Sequence, residues 1–190
     1  YRRQRQMCIR DRCHFVDLGA VVIGGCCGTT PAHIAEMVKQ CKDIPVKPIE
    51  KKSYTVVSSY GQSVFLGTGS KIIGERINPT GKKRFKQALK EHDLDYILKE
   101  GIAQQDNGAH ILDVNVGLPD IDEPTLMKKV VQELQSVTNL PLQIDTVDTV
   151  AMENALRIYN GKAMVNSVSG KQESMDAVFP LIRKLSLIHI

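Results

Sequence analysis

Between residues 71 and 166, four short apolar runs each end in a polar residue, and each is followed by a stretch with helical period. The spacing predicts strands over 71–74, 110–115, 142–145 and 163–166. Helices are predicted over 83–107 with a break near His92–Asp93, over 123–137, over 148–159, and from about Ser174. Strand–helix alternation of this kind implies a parallel sheet, in an α/β barrel or a doubly wound fold. A complete (β/α)8 barrel needs about 250 residues, so the 190 residues here hold part of one at most.

In parallel α/β folds ligands bind at the carboxyl ends of the strands. The first strand runs into Gly74-Glu75-Arg76-Ile77-Asn78-Pro79-Thr80-Gly81, and the second into Asp113-Val114-Asn115-Val116-Gly117. The third ends at Asp145-Thr146 and the fourth at Asn166-Ser167-Val168-Ser169-Gly170. Any one of these polar residues also suits a helix cap or turn. Four on one rim suit a ligand that offers both N–H donors and carbonyl acceptors, such as a fused heterocycle. A carboxylate accepts two N–H bonds, and an amide donates and accepts at once.

Upstream, the apolar run 20–23 predicts a buried strand ending in Gly24-Gly25. Thr30-Pro31 then pairs an N-cap with an N1 proline, opening a helix to about Lys42 with Ile34, Met37, Val38 and Cys41 on one face. Between them lie Cys26 and Cys27. Adjacent cysteines strain a mutual disulfide, the flanking glycines let both sulfurs face one point, and thiolates so placed suit Zn²⁺ if a further ligand exists. Residues 43–53 carry two Pro and three Lys without period and read as linker, with one or two short strands between 54 and 66.

The charge of +4 comes from the start of the chain. The first twelve residues hold five Arg and one Asp, leaving 20 basic against 20 acidic residues and no global field for a nucleic-acid backbone. No apolar run reaches membrane-spanning length. Five cysteines, two adjacent, make a poor disulfide framework and fit a reduced, cytoplasmic chain. Residues 1–12 and 186–190 are expected to be non-native, so the chain reads as an interior fragment.

The motifs GERINPTG, LDVNVG, QIDT and NSVSG, in this order, resemble the pterin-binding domain of cobalamin-dependent methionine synthases, and more distantly dihydropteroate synthases and corrinoid-protein methyltransferases. GGCCGTTPAHI resembles the end of the homocysteine-binding barrel of the same synthases. The resemblance implies an α/β fold: the first four βα units of a pterin-binding (β/α)8 TIM barrel over 71–185, preceded by the last strand and helix of another barrel (13–42) and a linker (43–70). It implies pterin contacts at Asp145 and Asn166, pocket lining by Asp113 and Asn115, and rim shaping by Glu75, Arg76 and Asn78. It further implies zinc on Cys26, Cys27 and a third cysteine outside the chain, with Cys8 and Cys13 poor substitutes and Cys41 in the core. Methyltetrahydrofolate and homocysteine would be substrates, and cobalamin would be carried by another module of the same protein. The remaining alternatives are a dihydropteroate synthase-like or corrinoid-protein methyltransferase barrel, and an inert truncated piece. The isolated chain is expected to be inactive.

Overall fold

The computed structural model describes residues 12–48, 53–185 and 188–189. It divides into two compact units, residues 1–53 and 54–190, so the division falls inside the stretch read as linker.

In the first unit, residues 12–17 are helical and α1 spans Pro31–Cys41. Thr30 caps α1 in extended conformation with Pro31 at N1, and its backbone N–H donates to His33 Nδ1 at 3.1 Å. His33 is therefore a capping residue. The strand predicted over 20–23 does not form: the segment is irregular, and Val21 and Val22 are exposed. A strand needs a neighbour to pair its backbone, and among the described residues of this unit there is none. The apolar face of α1 is correspondingly incomplete. Met37 is buried, whereas Ile34 and Val38 are exposed.

The second unit begins with an antiparallel hairpin, β1 (Thr55–Ser58) and β2 (Ser63–Leu66). Five strands follow: β3 (Ile73–Ile77), β4 (Ile111–Val114), β5 (Leu142–Asp145), β6 (Met164–Asn166) and β7 (Ile188–His189). They lie in that order, all parallel. The helices between them are α2 (Lys83–Glu91), α3 (Leu94–Asp106), α4 (Glu123–Val137), α5 (Thr149–Ile158) and α6 (Gln172–Leu185). The break expected near His92–Asp93 is a two-residue corner. His92 takes a left-handed conformation that ends α2, and Asp93 caps α3 by accepting from Tyr96 N–H. Arg84 spans that corner, paired with Asp93 at 2.6 Å and lying over the Tyr96 ring.

β3 starts and ends later than the predicted 71–74, with a register irregularity between Gly74 and Ile77. At the irregularity buried Gln104 of α3 lies against Gly74, where a Cβ would come within 2.6 Å of its Oε1, and that oxygen accepts from Arg76 N–H at 2.7 Å. β7 falls in the tail expected to be non-native. An apolar segment that pairs with β6 satisfies backbone groups an open edge would leave bare.

The sheet has two unlike faces. Leu112, Val114, Leu142, Ile144 and Val165 join the main core with the apolar stripes of α4 and α5, including Met127, Val130, Leu134, Met152 and Ala155. Strand side chains alternate between faces, so the opposite face carries Ile111 and Asp113 on β4 with Asn115 just beyond it, Gln143 and Asp145 on β5, and Met164 and Asn166 on β6. Its amino-terminal end is closed by the hairpin: Val57 and Val64 bury Ile111 and Met164 in a separate cluster. The stretch from Tyr54 is therefore a plug on the strand ends as well as a connection. Ser58 bridges Lys162. The chain there approaches so closely that a Cβ on Gly161 (φ +147°) would lie 2.3 Å from Ser58 O. Buried Tyr159 latches the plug, its hydroxyl donating to Ser58 O at 2.9 Å and accepting Leu142 N–H at 3.1 Å.

Replacing Tyr159 by Phe strands the buried Leu142 N–H and removes one of two donors to Ser58 O, which keeps its bond from Lys162 N–H. We expect Tyr159→Phe to lower stability by about 1–3 kcal/mol, read by urea unfolding. An unchanged midpoint would show that the latch is not holding the hairpin.

Candidate functional site

The register of the parallel strands stacks polar side chains in two layers. Asp113 lies opposite Gln143, and Asp145 opposite Asn166, with Asn115 immediately beyond β4. The deeper layer is almost sealed: Asp113 is 2 % exposed, Gln143 6 % and Asn78 7 %. The upper layer of Asn115, Asp145 and Asn166 is half-buried and opens at the carboxyl ends of the strands.

In the deeper layer Gln143 Nε2 donates to Asp113 Oδ1 at 2.5 Å, and Asn78 supplies a second side-chain hydrogen bond to the same carboxylate. Asn78 is itself fixed, its Oδ1 accepting from Thr80 N–H at 2.9 Å. Gln143 Oε1 is buried without a hydrogen-bond partner among the described residues. Burial pushes the Asp113 carboxyl up to about 6. The Asp145 and Glu75 charges add to the rise, while the bonds from Gln143 and Asn78 oppose it.

In the upper layer Asn115 is committed to its neighbours. Its Nδ2 donates to Asp145 Oδ2 at 2.9 Å, and its Oδ1 accepts from Gly117 N–H at 2.9 Å. Asn115 therefore aims Asp145 and leaves Oδ1 of that carboxylate for an incoming donor. The Asn166 side chain makes no hydrogen bond to another described residue, so both its donor and its acceptor are open. Beside them buried Thr146 donates to Glu123 at the start of α4 and accepts from Asp148 N–H. This ties the β5 turn to the helix before it.

Of the residues singled out from the sequence, Asp113, Asn115, Asp145, Asn166 and Asn78 come together. Glu75 does not sit at a strand end as expected. β3 continues to Ile77, which leaves Glu75 exposed within the strand, and it acts on the site only through its charge. Lys82 donates to Glu75 O at 2.6 Å, and Arg84 is bound at the α2–α3 corner. Thr146 was read only as a strand-end residue, and Gln143 was missed. The period-two spacing from Asp145 could have found Gln143, since i−2 shares its face.

In the first unit Cys26 and Cys27 are both exposed. They occupy a turn closed by Thr29 N–H to Cys26 O and by Cys26 N–H to Thr29 Oγ1, each 3.0 Å, with Gly28 at φ +79°. Among the described residues no group of three His, Cys, Asp or Glu could hold a metal. The pair supplies half of a tetrahedral thiolate site and nothing here completes it. Cys8 lies outside the described residues. Cys41, expected in the core, is half-buried.

A family model described as pterin binding enzyme matches residues 74–189. The chain belongs to the pterin-binding enzyme family. A second family model, homocysteine S-methyltransferase, matches residues 1–41, beginning inside the stretch read as leader. Methionine synthase of Mycobacterium tuberculosis (strain ATCC 25618 / H37Rv) is 34 % identical over 156 residues, and that of Mycobacterium leprae (strain TN) is 33 % identical over 160. Each alignment takes in 80 % of this chain, which spans only 13 % of those relatives' length. Among solved structures, Xanthomonas albilineans dihydropteroate synthase in complex with indole-2-carboxylic acid and 6-chloroguanine superposes with TM-score 0.49 at 21 % identity, covering 66 % of this chain and 46 % of that one. The 7,8-dihydropteroate synthase of Vibrio fischeri ES114 gives 0.48 at 16 %, covering 70 % and 48 %. Among the described residues no helix is long and apolar enough to cross a membrane.

The raised Asp113 sets a pH dependence of stability. A carboxyl whose pKa is higher folded than unfolded stabilises fully below its unfolded pKa of about 4. That contribution is lost as pH rises through about 6. The shift from 3.8 to about 6 corresponds to about 3 kcal/mol. Asp113→Asn removes the titration, so its stability relative to the native chain should rise by about 2–3 kcal/mol between pH 4 and pH 7. Urea unfolding at the two pH values reads this, and a constant difference would refute it.

Proposed function

We propose that this chain is part of a methyltransferase that moves a methyl group from 5-methyltetrahydrofolate by way of cobalamin to homocysteine. The observation that carries this reading is the upper layer of the sheet. A carboxylate held by Asn115 and an open amide on Asn166 sit side by side at the carboxyl ends of parallel strands. That pair complements the edge of a pterin: Asp145 would accept its N–H donors, and Asn166 would donate to and accept from its ring. The match of residues 1–41 to homocysteine S-methyltransferases, ahead of the pterin-binding segment, supports the second substrate.

The chemistry asked of these residues is largely positioning. The N5 amine of the folate is a poor leaving group, so a proton or strong hydrogen bond at N5 must accompany methyl loss. Asp145 and Asn166 would fix the ring so that the methyl faces outward toward its acceptor. Asn115 holds Asp145 in the orientation that accepts. Asn78 and Gln143 hold Asp113 beneath the ring. Cobalamin, held elsewhere in the full-length protein, would supply the nucleophile that receives the methyl. Cys26 and Cys27 would contribute two thiolates to a zinc ion, whose charge would keep the homocysteine thiol ionised near neutral pH.

The test is made in the full-length protein. Asp145→Asn should weaken methyltetrahydrofolate binding roughly 10–100-fold, the loss of a charge-assisted hydrogen bond. Homocysteine binding should remain within about threefold, since the two sites belong to separate units. Equal loss of both would indicate misfolding. Unchanged folate affinity would remove Asp145 from the pterin site.

A further inference from the structure

A second pair of cysteines lies in the first unit, away from the turn that carries Cys26 and Cys27. Cys13 belongs to the helical stretch 12–17, and Cys41 is the last residue of α1. Their sulfurs are 3.3 Å apart, half-buried, within hydrogen-bond reach of each other and not joined by a disulfide. Gln40 Oε1 lies 3.9 Å from Cys13 Sγ. A disulfide requires about 2.05 Å between sulfurs, so closing the bond asks for roughly 1.3 Å of approach. Turning two side chains at helix ends can supply that. A bound metal is a poorer account of the pair, because no third ligating side chain stands with it among the described residues.

We propose that Cys13 and Cys41 form a reversible disulfide, closed by a disulfide oxidant of the glutathione class and opened by thiols. One of the two thiolates attacks a sulfur of the oxidant, forms a mixed disulfide and expels one small thiolate. The other protein thiolate then attacks the mixed disulfide, forms the Cys13–Cys41 bond and expels the second small thiolate. The protein gives up two electrons and two protons, and the oxidant leaves as two thiols. Burial, the hydrogen bond with Cys13 and the charge of Asp17 push the Cys41 thiol up. Cys41 is thus mostly protonated at neutral pH and suits the resolving role.

The bond has a structural consequence. It ties the helical stretch 12–17 to the end of α1 and so closes a loop whose centre is the Gly24–Pro31 turn. Cys26 and Cys27 would then sit on a tethered loop instead of an open one, with fewer conformations open to it. This inference stands on the geometry of the first unit and is independent of the proposed reaction.

The experiment oxidises the 190-residue chain with oxidised glutathione, caps remaining thiols with N-ethylmaleimide, and maps peptides without reduction. The expected result is a dominant Cys13–Cys41 link that dithiothreitol reverses. Cys41→Ser should lose it and leave Cys13 as the glutathione adduct. The double variant Cys26→Ser/Cys27→Ser should keep it. In urea, where the pair is no longer held together, the same oxidation should lose its selectivity. Recovery of Cys13 and Cys41 as separate adducts, preferential linkage of either to another cysteine, or the same linkage pattern in urea would each overturn the proposal.

Discussion

The parallel register that sets Asp113 opposite Gln143 and Asp145 opposite Asn166 is the constraint on which the rest depends. A slip by one residue would send every side chain of a strand to the other face. Leu112, Val114, Leu142 and Ile144 would leave α4 and α5, and the polar residues would be driven into that apolar layer. Burial of these aliphatic residues, each contributing about 1.5–3 kcal/mol, therefore holds the carboxylates and amides where they stand. The site is the reverse side of the core.

That reverse side is graded along its length. At the amino-terminal end Ile111 and Met164 meet Val57 and Val64 of the hairpin and exclude water. One step further, Asp113, Gln143 and Asn78 form a sealed polar layer, in which Gln143 Oε1 has no hydrogen-bond partner among the described residues. At the carboxyl ends Asn115, Asp145 and Asn166 reach the surface. Burying a carboxylate costs free energy unless it is hydrogen-bonded. Asp113 receives two such bonds, and burial still pushes its carboxyl up to about 6, so the interior here is held in place at a cost to stability.

Helix boundaries were legible because local chemistry writes them. Thr30-Pro31 starts α1, and the carboxylates of Asp93, Asp122 and Asp148 cap α3, α4 and α5. β4 and β5 were legible because an apolar run ended by a polar residue leaves few alternatives. β3 was misplaced because its register is irregular from Gly74 to Ile77, where Gln104, thirty residues away in sequence, packs against Gly74. The strand over 20–23 failed for the same kind of reason: an apolar β-branched run is a strand only if another strand is beside it.

The sequence by itself determined the βα rhythm, the caps, and the presence of Asp or Asn at the carboxyl ends of β4, β5 and β6, because these depend on nearest neighbours and on a period of two or 3.6 residues. Tertiary structure alone decided that Asn115 is consumed in aiming Asp145 while Asn166 stays open. It alone sealed Asp113 beneath them, made the hairpin from Tyr54 a plug, and brought Cys13 to Cys41. Each of these joins residues distant along the chain. Only the packed fold fixes which donor meets which acceptor, and how much water remains between them.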